Sequence, residues 1–147
     1  MRFWLTRALI VVVMLLVAIQ VVRPTHTNPP TDARRTIQAQ LGPGIVSAAI
    51  DRSCRDCHSN ETTWPWYSHV APVSWFIAHD VNEGREALNF SHWASYSPDR
   101  QAKLLAQACD EVTEGEMPGL PYTLIHRGAR LSTVEIAAIC ALSAKTR

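Results

Sequence analysis

Two cysteines and a histidine lie within five consecutive residues, Cys54-Arg-Asp-Cys-His58. This CxxCH pattern is the attachment sequence of c-type haem. Two thiols three positions apart can reach the vinyl groups along one edge of a porphyrin, and the histidine that follows can bind the iron as its proximal ligand. The sequence therefore predicts one covalently attached haem c, with Cys54 and Cys57 as the thioether residues and His58 on the iron.

Half of a zinc site is the alternative interpretation of the same residues. Such a site needs two further ligands at a similar spacing. The other two cysteines, Cys109 and Cys140, lie 31 positions apart, and neither belongs to a CxxC or CxxH pair. The spacing of the cysteines therefore favours haem over zinc.

The iron of an electron-transfer haem normally takes a second protein ligand, methionine or histidine. Met1 is the initiator and Met14 lies in an apolar N-terminal segment, which leaves Met117 as the methionine of the soluble part of the chain. Met117 is followed by proline in a Pro/Gly-bounded stretch, residues 115–119, and this proline removes an amide donor and stiffens the backbone. Met117 is the predicted distal ligand, and His126, nine residues later, is the alternative.

The N-terminus carries a membrane-targeting segment. Residues 8–22 are apolar apart from Gln20, and the stretch counted from Phe3 has 20 residues, about the length that crosses a bilayer. Arg2 and Arg7 on its N-terminal side predict a cytoplasmic N-terminus and a domain on the outer side. No small-x-small cleavage site follows. We therefore expect a single-pass anchor in a bacterial inner membrane with a periplasmic domain; the alternative is a soluble periplasmic protein released by signal cleavage.

The charge of the soluble part excludes one class of partner. The whole chain has a formal net charge of +1, but residues 24–147 carry 11 basic and 13 acidic side chains. Such a balance lacks the basic footprint of a nucleic-acid-binding protein. The expected partners are redox proteins, and the membrane through the N-terminal helix.

The elements that position these residues are predicted to be helices, because no stretch alternates convincingly as a strand. Ser97 before Pro98, and Ser132 three residues before Glu135, are signals of a helix start. Apolar periodicity and these signals predict helices over residues 34–41, 45–52, 73–88, 98–112 and 133–144. The segments 59–72 and 115–128, rich in turn residues, are predicted loops.

The predicted fold is therefore all-α, a small helical domain of cytochrome c type around one covalent haem, preceded by a single transmembrane or signal-anchor helix. Residues 1–23 form the anchor. Residues 24–43 form a Pro-rich tether and a short helix, and residues 44–147 form the haem-binding domain.

Large amphipathic rings follow the CxxCH closely: Trp64, Trp66, Tyr67 and Trp75. Rings of this kind can pack on a porphyrin and donate hydrogen bonds to its propionates. They are predicted to line the haem pocket, with ordinary core packing as the alternative. The polar residues 59–62 are predicted to accept the ring N–H of His58, a contact that would tune its basicity as a ligand.

Several blocks of this sequence resemble the small bacterial haem-binding domain proteins, which carry one CxxCH and a CHSNET–WPWY block. The blocks are CRDCHSNETTWPWYS at 54–68, APVSW at 71–75, DVNEGR at 80–85, NFSHW at 89–93, GEMP at 115–118 and TNPP at 27–30, together with Tyr122, His126 and ARLS at 129–132. The resemblance covers roughly residues 20–140. It implies a membrane-anchored or exported c-type haem protein of cytochrome type.

Cys109 and Cys140 do not belong to that pattern, and they fall in the predicted helices 98–112 and 133–144. In an oxidising compartment a disulfide between them would close a loop of ~30 residues and add ~3 kcal/mol. Two buried thiols that act as small apolar side chains are the alternative.

These observations together predict a membrane-tethered, periplasm-facing mono-haem protein that passes single electrons through a His/Met-ligated haem. Such a protein is an electron carrier rather than an enzyme. Two alternatives stay open. One is a ligand sensor or haem enzyme with an open or displaceable sixth position, and the other is a haem module accessory to a larger oxidoreductase.

Overall fold

The computed structural model describes residues 2–145, so the initiator and the last two residues of the predicted haem-binding domain lie outside the described part. Within it the regular elements are all helical, which confirms the predicted all-α fold. The α-helices are α1 (Arg2–Ala18), α2 (Ile37–Leu41), α3 (Ile45–Ser53), α4 (Arg55–His58), α5 (Val73–Ala87), α6 (Pro98–Glu114), α7 (Leu120–Ile125) and α8 (Thr133–Lys145).

The two predicted helix starts are confirmed by their hydrogen bonds. The Ser97 hydroxyl accepts the N–H of Arg100 at the start of α6. At α8, the Ser132 N–H donates to Glu135 Oε2 at 2.8 Å, while the Glu135 N–H donates back to Ser132 Oγ at 3.3 Å. The Ser132 N–H, followed by the Arg52 guanidinium, lowers the pKa of Glu135 to about 2. Both helices therefore begin at the residues predicted from their local sequence.

The structure differs from the prediction at several places, among them the predicted loop 59–72, which contains a 3₁₀ helix, Trp66–His69. Residues 34–41 form a 3₁₀ turn and then α2, because the Thr36 hydroxyl accepts the Ala39 N–H and starts a new helix there. The predicted loop 115–128 contains α7, whose six residues are too few to show a helical period. A further 3₁₀ helix, Phe90–Ser95, begins at Asn89, whose side chain accepts the Ser91 N–H.

The core joins the helices that surround the CxxCH. Its larger cluster contains residues from α2, α3, α6 and the 3₁₀ helix 90–95: Ile37, Ile50, Phe90, Trp93, Leu104 and Leu105. A smaller cluster of Ala49, Val112 and Ile139 joins α3, α6 and α8. A disulfide between Cys109 and Cys140 links α6 to α8 covalently, so the pairing expected for an oxidising compartment is present.

The N-terminal helix stands outside this core. A 3₁₀ turn, Ile19–Val21, extends α1, and residues 2–21 together are long and apolar enough to cross a membrane, with none of this span buried. At its end, the Gln20 side-chain amide donates to Ala71 O at 3.1 Å and its carbonyl accepts the Ala71 N–H at 2.9 Å. The apolar helix is therefore fixed to the domain at its last turn.

Candidate functional site

The CxxCH residues occupy the short helix α4 and the residue before it. Cys54 precedes α4, its carbonyl accepts the His58 N–H at 2.9 Å, and Cys57 follows one helical turn later. Residues three positions apart in a helix are neighbours on its surface. The turn therefore brings the two thiols together, and neither is part of a disulfide.

Burial dominates the chemistry of the three side chains. It raises the pKa of the Cys54 thiol to about 12 and that of Cys57 to about 11. It also lowers the pKa of His58. The imidazole is therefore held in its neutral form, which is the form that binds metals.

One hydrogen bond orients the His58 ring. Its Nδ1–H donates to Leu88 O at 3.1 Å. Leu88 follows the last residue of α5, where carbonyl groups have no partner within the helix. The bond leaves Nε2 as the ring nitrogen available to an iron.

The acceptor differs from the predicted one, which was the polar segment 59–62. In that segment, buried Asn60 instead accepts a hydrogen bond from the side-chain amide of Asn89 at 2.8 Å and donates its own backbone N–H to Ser91 Oγ at 3.0 Å. These polar residues therefore hold the CxxCH loop against the 3₁₀ helix 90–95.

Close packing of α5 on α4 depends on Gly84. A Cβ atom added at this position would lie 2.7 Å from the carbonyl oxygen of Cys57 and 3.2 Å from its Cβ. Real Cβ atoms do not approach a backbone oxygen this closely, so a side chain at residue 84 would push the two helices apart. Glycine therefore lets α5 come near enough for Leu88 to reach His58.

A cavity of about 350 Å³ opens beside these residues, and Cys54, His58 and Met117 all line it. Its volume lies in the range of roughly 300–1,000 Å³ that ligand pockets occupy. The apolar part of its wall includes Leu88, Phe90, Leu104 and Val112. An apolar cavity with a thiol, an oriented imidazole and a thioether fits a haem. The cavity brings together Cys54, His58 and Met117 of the predicted site, whereas Cys57 is not among its lining residues.

The end of α6 positions Met117. Gly115 adopts the left-handed conformation, with φ +80°, and ends the helix. The carbonyl of Glu111 then accepts the N–H groups of both Glu116 and Met117, at 3.0 and 3.2 Å. Two backbone bonds thus hold the methionine at the rim of the cavity, where its side chain is 44% exposed.

The structure places His126 elsewhere. It lines a second cavity of about 410 Å³, on the side of α4 that carries Arg55 and Asp56. Its Nε2 lies 2.5 Å from the Tyr67 hydroxyl, and its ring stacks on Tyr122 at 4.4 Å between centroids. The alternative distal ligand of the sequence analysis is therefore not among the residues that line the cavity of His58.

Asp56, between the two cysteines, links α4 to this second region. Its Oδ2 accepts the Tyr122 hydroxyl at 3.0 Å, and its Oδ1 accepts the Thr63 N–H at 3.0 Å. This role could not be predicted, because the two variable positions of a CxxCH carry no signal of their partners.

None of the four rings assigned to the haem pocket lines the first cavity. The indole N–H of Trp64 donates to Asn28 Oδ1, that of Trp75 donates to Val22 O, and Trp66 is 78% exposed. Tyr67 contacts His126. Trp64 and Trp75 are instead bonded to the N-terminal segment, and the apolar wall comes from residues whose spacing indicated only ordinary core.

Arg85 of α5 joins three parts of the chain around the CxxCH. Its guanidinium donates to Ser59 O at 2.7 Å, Thr27 O at 2.8 Å, Thr62 Oγ1 at 2.8 Å and Asn28 Oδ1 at 3.1 Å. The segment after α1 is therefore held against the domain rather than free of it.

Replacing Arg85 with alanine is expected to lower the free energy of unfolding by about 2–4 kcal/mol, because hydrogen bonds from a charged group contribute roughly 1.5–3 kcal/mol each. Arg85→Lys should recover less than half of this loss, since one ammonium group cannot reproduce the fork of a guanidinium. Chemical denaturation measures both. Arg100→Ala, at an exposed site of α6, is the control; equal stability of Arg85→Ala and Arg100→Ala would contradict the assigned role.

Among residues 2–145, no group of three or more His, Cys, Asp or Glu side chains is arranged to hold a metal ion by itself. A family model described as a haem-binding domain matches residues 14–145. No curated protein and no solved structure matches the chain.

Proposed function

Because the chain belongs to the haem-binding domain family, we propose that it is a mono-haem c-type protein that exchanges single electrons with redox partners. In this proposal Cys54 and Cys57 would hold the haem through thioether bonds, and His58 and Met117 would bind its iron. The observation that carries this proposal is that Cys54, His58 and Met117 line one and the same cavity.

The bound haem supplies the one-electron couple of its iron. The residues of the chain supply orientation and surroundings. Leu88 O fixes the tautomer of His58 and increases its basicity as a ligand. Met117, held through its backbone at the cavity rim, supplies a thioether, which raises the potential of a His-ligated iron. Leu104, Phe90 and Val112 keep water from the cavity wall.

We further propose that α1 anchors the protein in a bacterial inner membrane with the domain in the periplasm. The span of residues 2–21 is apolar and unburied, and Arg2 and Arg7 near its start favour a cytoplasmic N-terminus. The Cys109–Cys140 disulfide supports the same orientation, because disulfides persist in the periplasm and are rare in the cytosol.

A spectrum of the Met117→Ala variant tests the ligand assignment. We expect the oxidised parent protein to show the methionine–iron charge-transfer band, and Met117→Ala to lose it while keeping covalent haem on a denaturing gel. Met14→Ala, which changes a methionine of α1, is the matched control and should keep the band. Absence of the band from the parent would overturn the His/Met assignment.

The exposure of Met117 favours one competing function, a ligand sensor with a displaceable sixth ligand. Adding carbon monoxide to the reduced parent separates the two. An electron carrier keeps its spectrum, whereas a sensor shifts at once to the spectrum that Met117→Ala shows with the same gas.

A further inference from the structure

An apolar surface lies beside the point where α1 meets the domain. Its side chains are Trp66 (78% exposed), Val70 (42%), Val73 (43%) and Phe76 (66%), and we call these four residues the apolar patch. Val73 and Phe76 lie three positions apart in α5, on one face of the helix. A cluster of exposed large apolar side chains marks a surface that contacts another apolar phase.

The apolar patch is fixed to the end of the membrane-crossing segment. Gln20 makes two hydrogen bonds with the backbone of Ala71, and the Trp75 indole donates to Val22 O at 2.8 Å. Ala71 lies between Val70 and Val73 of the patch in the sequence, and Trp75 directly precedes Phe76. No flexible spacer therefore separates the patch from the end of the span.

The length of the span determines the depth of the apolar patch relative to the bilayer. Residues 2–21 comprise 20 residues, and at 1.5 Å per residue they extend about 30 Å, the thickness of the hydrocarbon core. Gln20 then lies at the boundary of the core, and the residues bonded to it lie at the level of the headgroups. Tryptophan and other amphipathic rings favour this layer.

The charge along α5 marks where this contact ends. The exposed face that carries Val73 and Phe76 continues, one and two turns later, with exposed Asp80 and Glu83. Ionised carboxylates are costly to transfer from water to an apolar phase, so Asp80 and Glu83 mark where a contact with lipid would end.

We propose that the apolar patch rests in the interfacial layer of the bilayer that α1 crosses, so that the domain lies on the membrane in one orientation. This inference depends on the proposed membrane anchor and adds the surface that contacts lipid. α5 leads from the patch to Leu88 over 15 residues, about 22 Å. The cavity of His58 therefore lies at the end of α5 that is farther from the lipid and is open to partners in the periplasm.

The test uses the full haem-loaded chain in nanodiscs that hold one copy each, studied by NMR in the reduced state. A lipid with a paramagnetic headgroup should remove most of the amide signal of the four patch residues. Exposed residues at the start of α6, Asp99 and Arg100, follow the far end of α5 in the chain; they are the internal control and should keep theirs. The Val73→Glu/Phe76→Glu variant should recover signal at Trp66 and Val70 with an unchanged haem spectrum.

Alkaline extraction of membranes that contain the same chain separates the two ways of failing. Release of the protein would refute the anchor and the patch together. Retention of the protein with patch signals as strong as those of Asp99 and Arg100 would refute the patch alone. Strong patch signals in nanodiscs with two copies, together with weak ones in single-copy nanodiscs, would assign the surface to a second copy of the chain and overturn the lipid contact.

Discussion

Replacing Gly84 with alanine is expected to lower the free energy of unfolding by about 1–3 kcal/mol, the usual cost of adding a methyl group to a closely packed contact. Alanine is favoured over glycine inside a helix by about 1 kcal/mol, so helix propensity alone predicts the opposite sign. The new Cβ, however, would meet the Cys57 carbonyl oxygen at 2.7 Å. Because that oxygen belongs to the backbone, α4 itself must move.

The same displacement should affect the cofactor. Moving α5 away from α4 also moves Leu88 O away from the His58 ring. We therefore expect less covalent haem per mole of protein. Chemical denaturation and a haem stain on a denaturing gel measure the two effects. Gly44→Ala is the matched control, since a Cβ there meets nothing within 4 Å. Unchanged stability and haem content in Gly84→Ala would show that α4 and α5 are not packed as described.

Removing the disulfide by the double change Cys109→Ala/Cys140→Ala is expected to cost about 3–4 kcal/mol. The bond spans a sequence separation of 31 residues, and the chain-entropy model gives that amount for a loop of this size. Since domains are stable by only about 5–15 kcal/mol in total, this is a large part of the stability. The effect should be seen mainly as easier separation of α8 from α6.

A reductant provides the control within the parent protein. Reduction should destabilise the parent by the same amount as the double change, and it should leave the double variant unaffected. Thioether bonds resist thiol reductants, so if the haem is attached as we propose, the haem content of the parent should not change. Two free thiols at Cys109 and Cys140, found by alkylation of the unreduced parent, would contradict the prediction.

The sequence predicted those parts of the molecule that depend on neighbouring residues. The caps at Ser97 and Ser132 are each set within four residues, and both helices begin where they were expected. The residues of the CxxCH likewise lie within about one helical turn of each other. Met117 was predicted because the other methionines are Met1 and Met14, not because of its neighbouring residues. It lines the cavity of His58 because the Gly115 turn and Glu111 O return the chain to α6.

The parts that could not be predicted depend on contacts between distant residues. Leu88 orients His58 through a carbonyl that every residue type possesses, and Gly84 matters only because α4 crosses it. The aromatic block lies near the CxxCH in sequence, yet Trp64 and Trp75 are bonded to the segment after α1, where Asn28 and Val22 accept their indole hydrogen bonds. Nearness along the chain was a poor guide to the composition of the cavity wall.

The arrangement of the four cysteines has a consequence for the biogenesis of the protein. Four cysteines allow three complete pairings. The pairing that joins Cys109 to Cys140 also joins Cys54 to Cys57, and the other two pairings also oxidise Cys54 and Cys57. Every complete pairing therefore oxidises the two thiols that we propose to bind haem. A chain exported as we propose must therefore be oxidised at one pair and kept reduced at the other within the same compartment. Its maturation then requires a thiol oxidant and a thiol reductant that act on different parts of one polypeptide, and loss of either should leave the protein without its cofactor or without its cross-link.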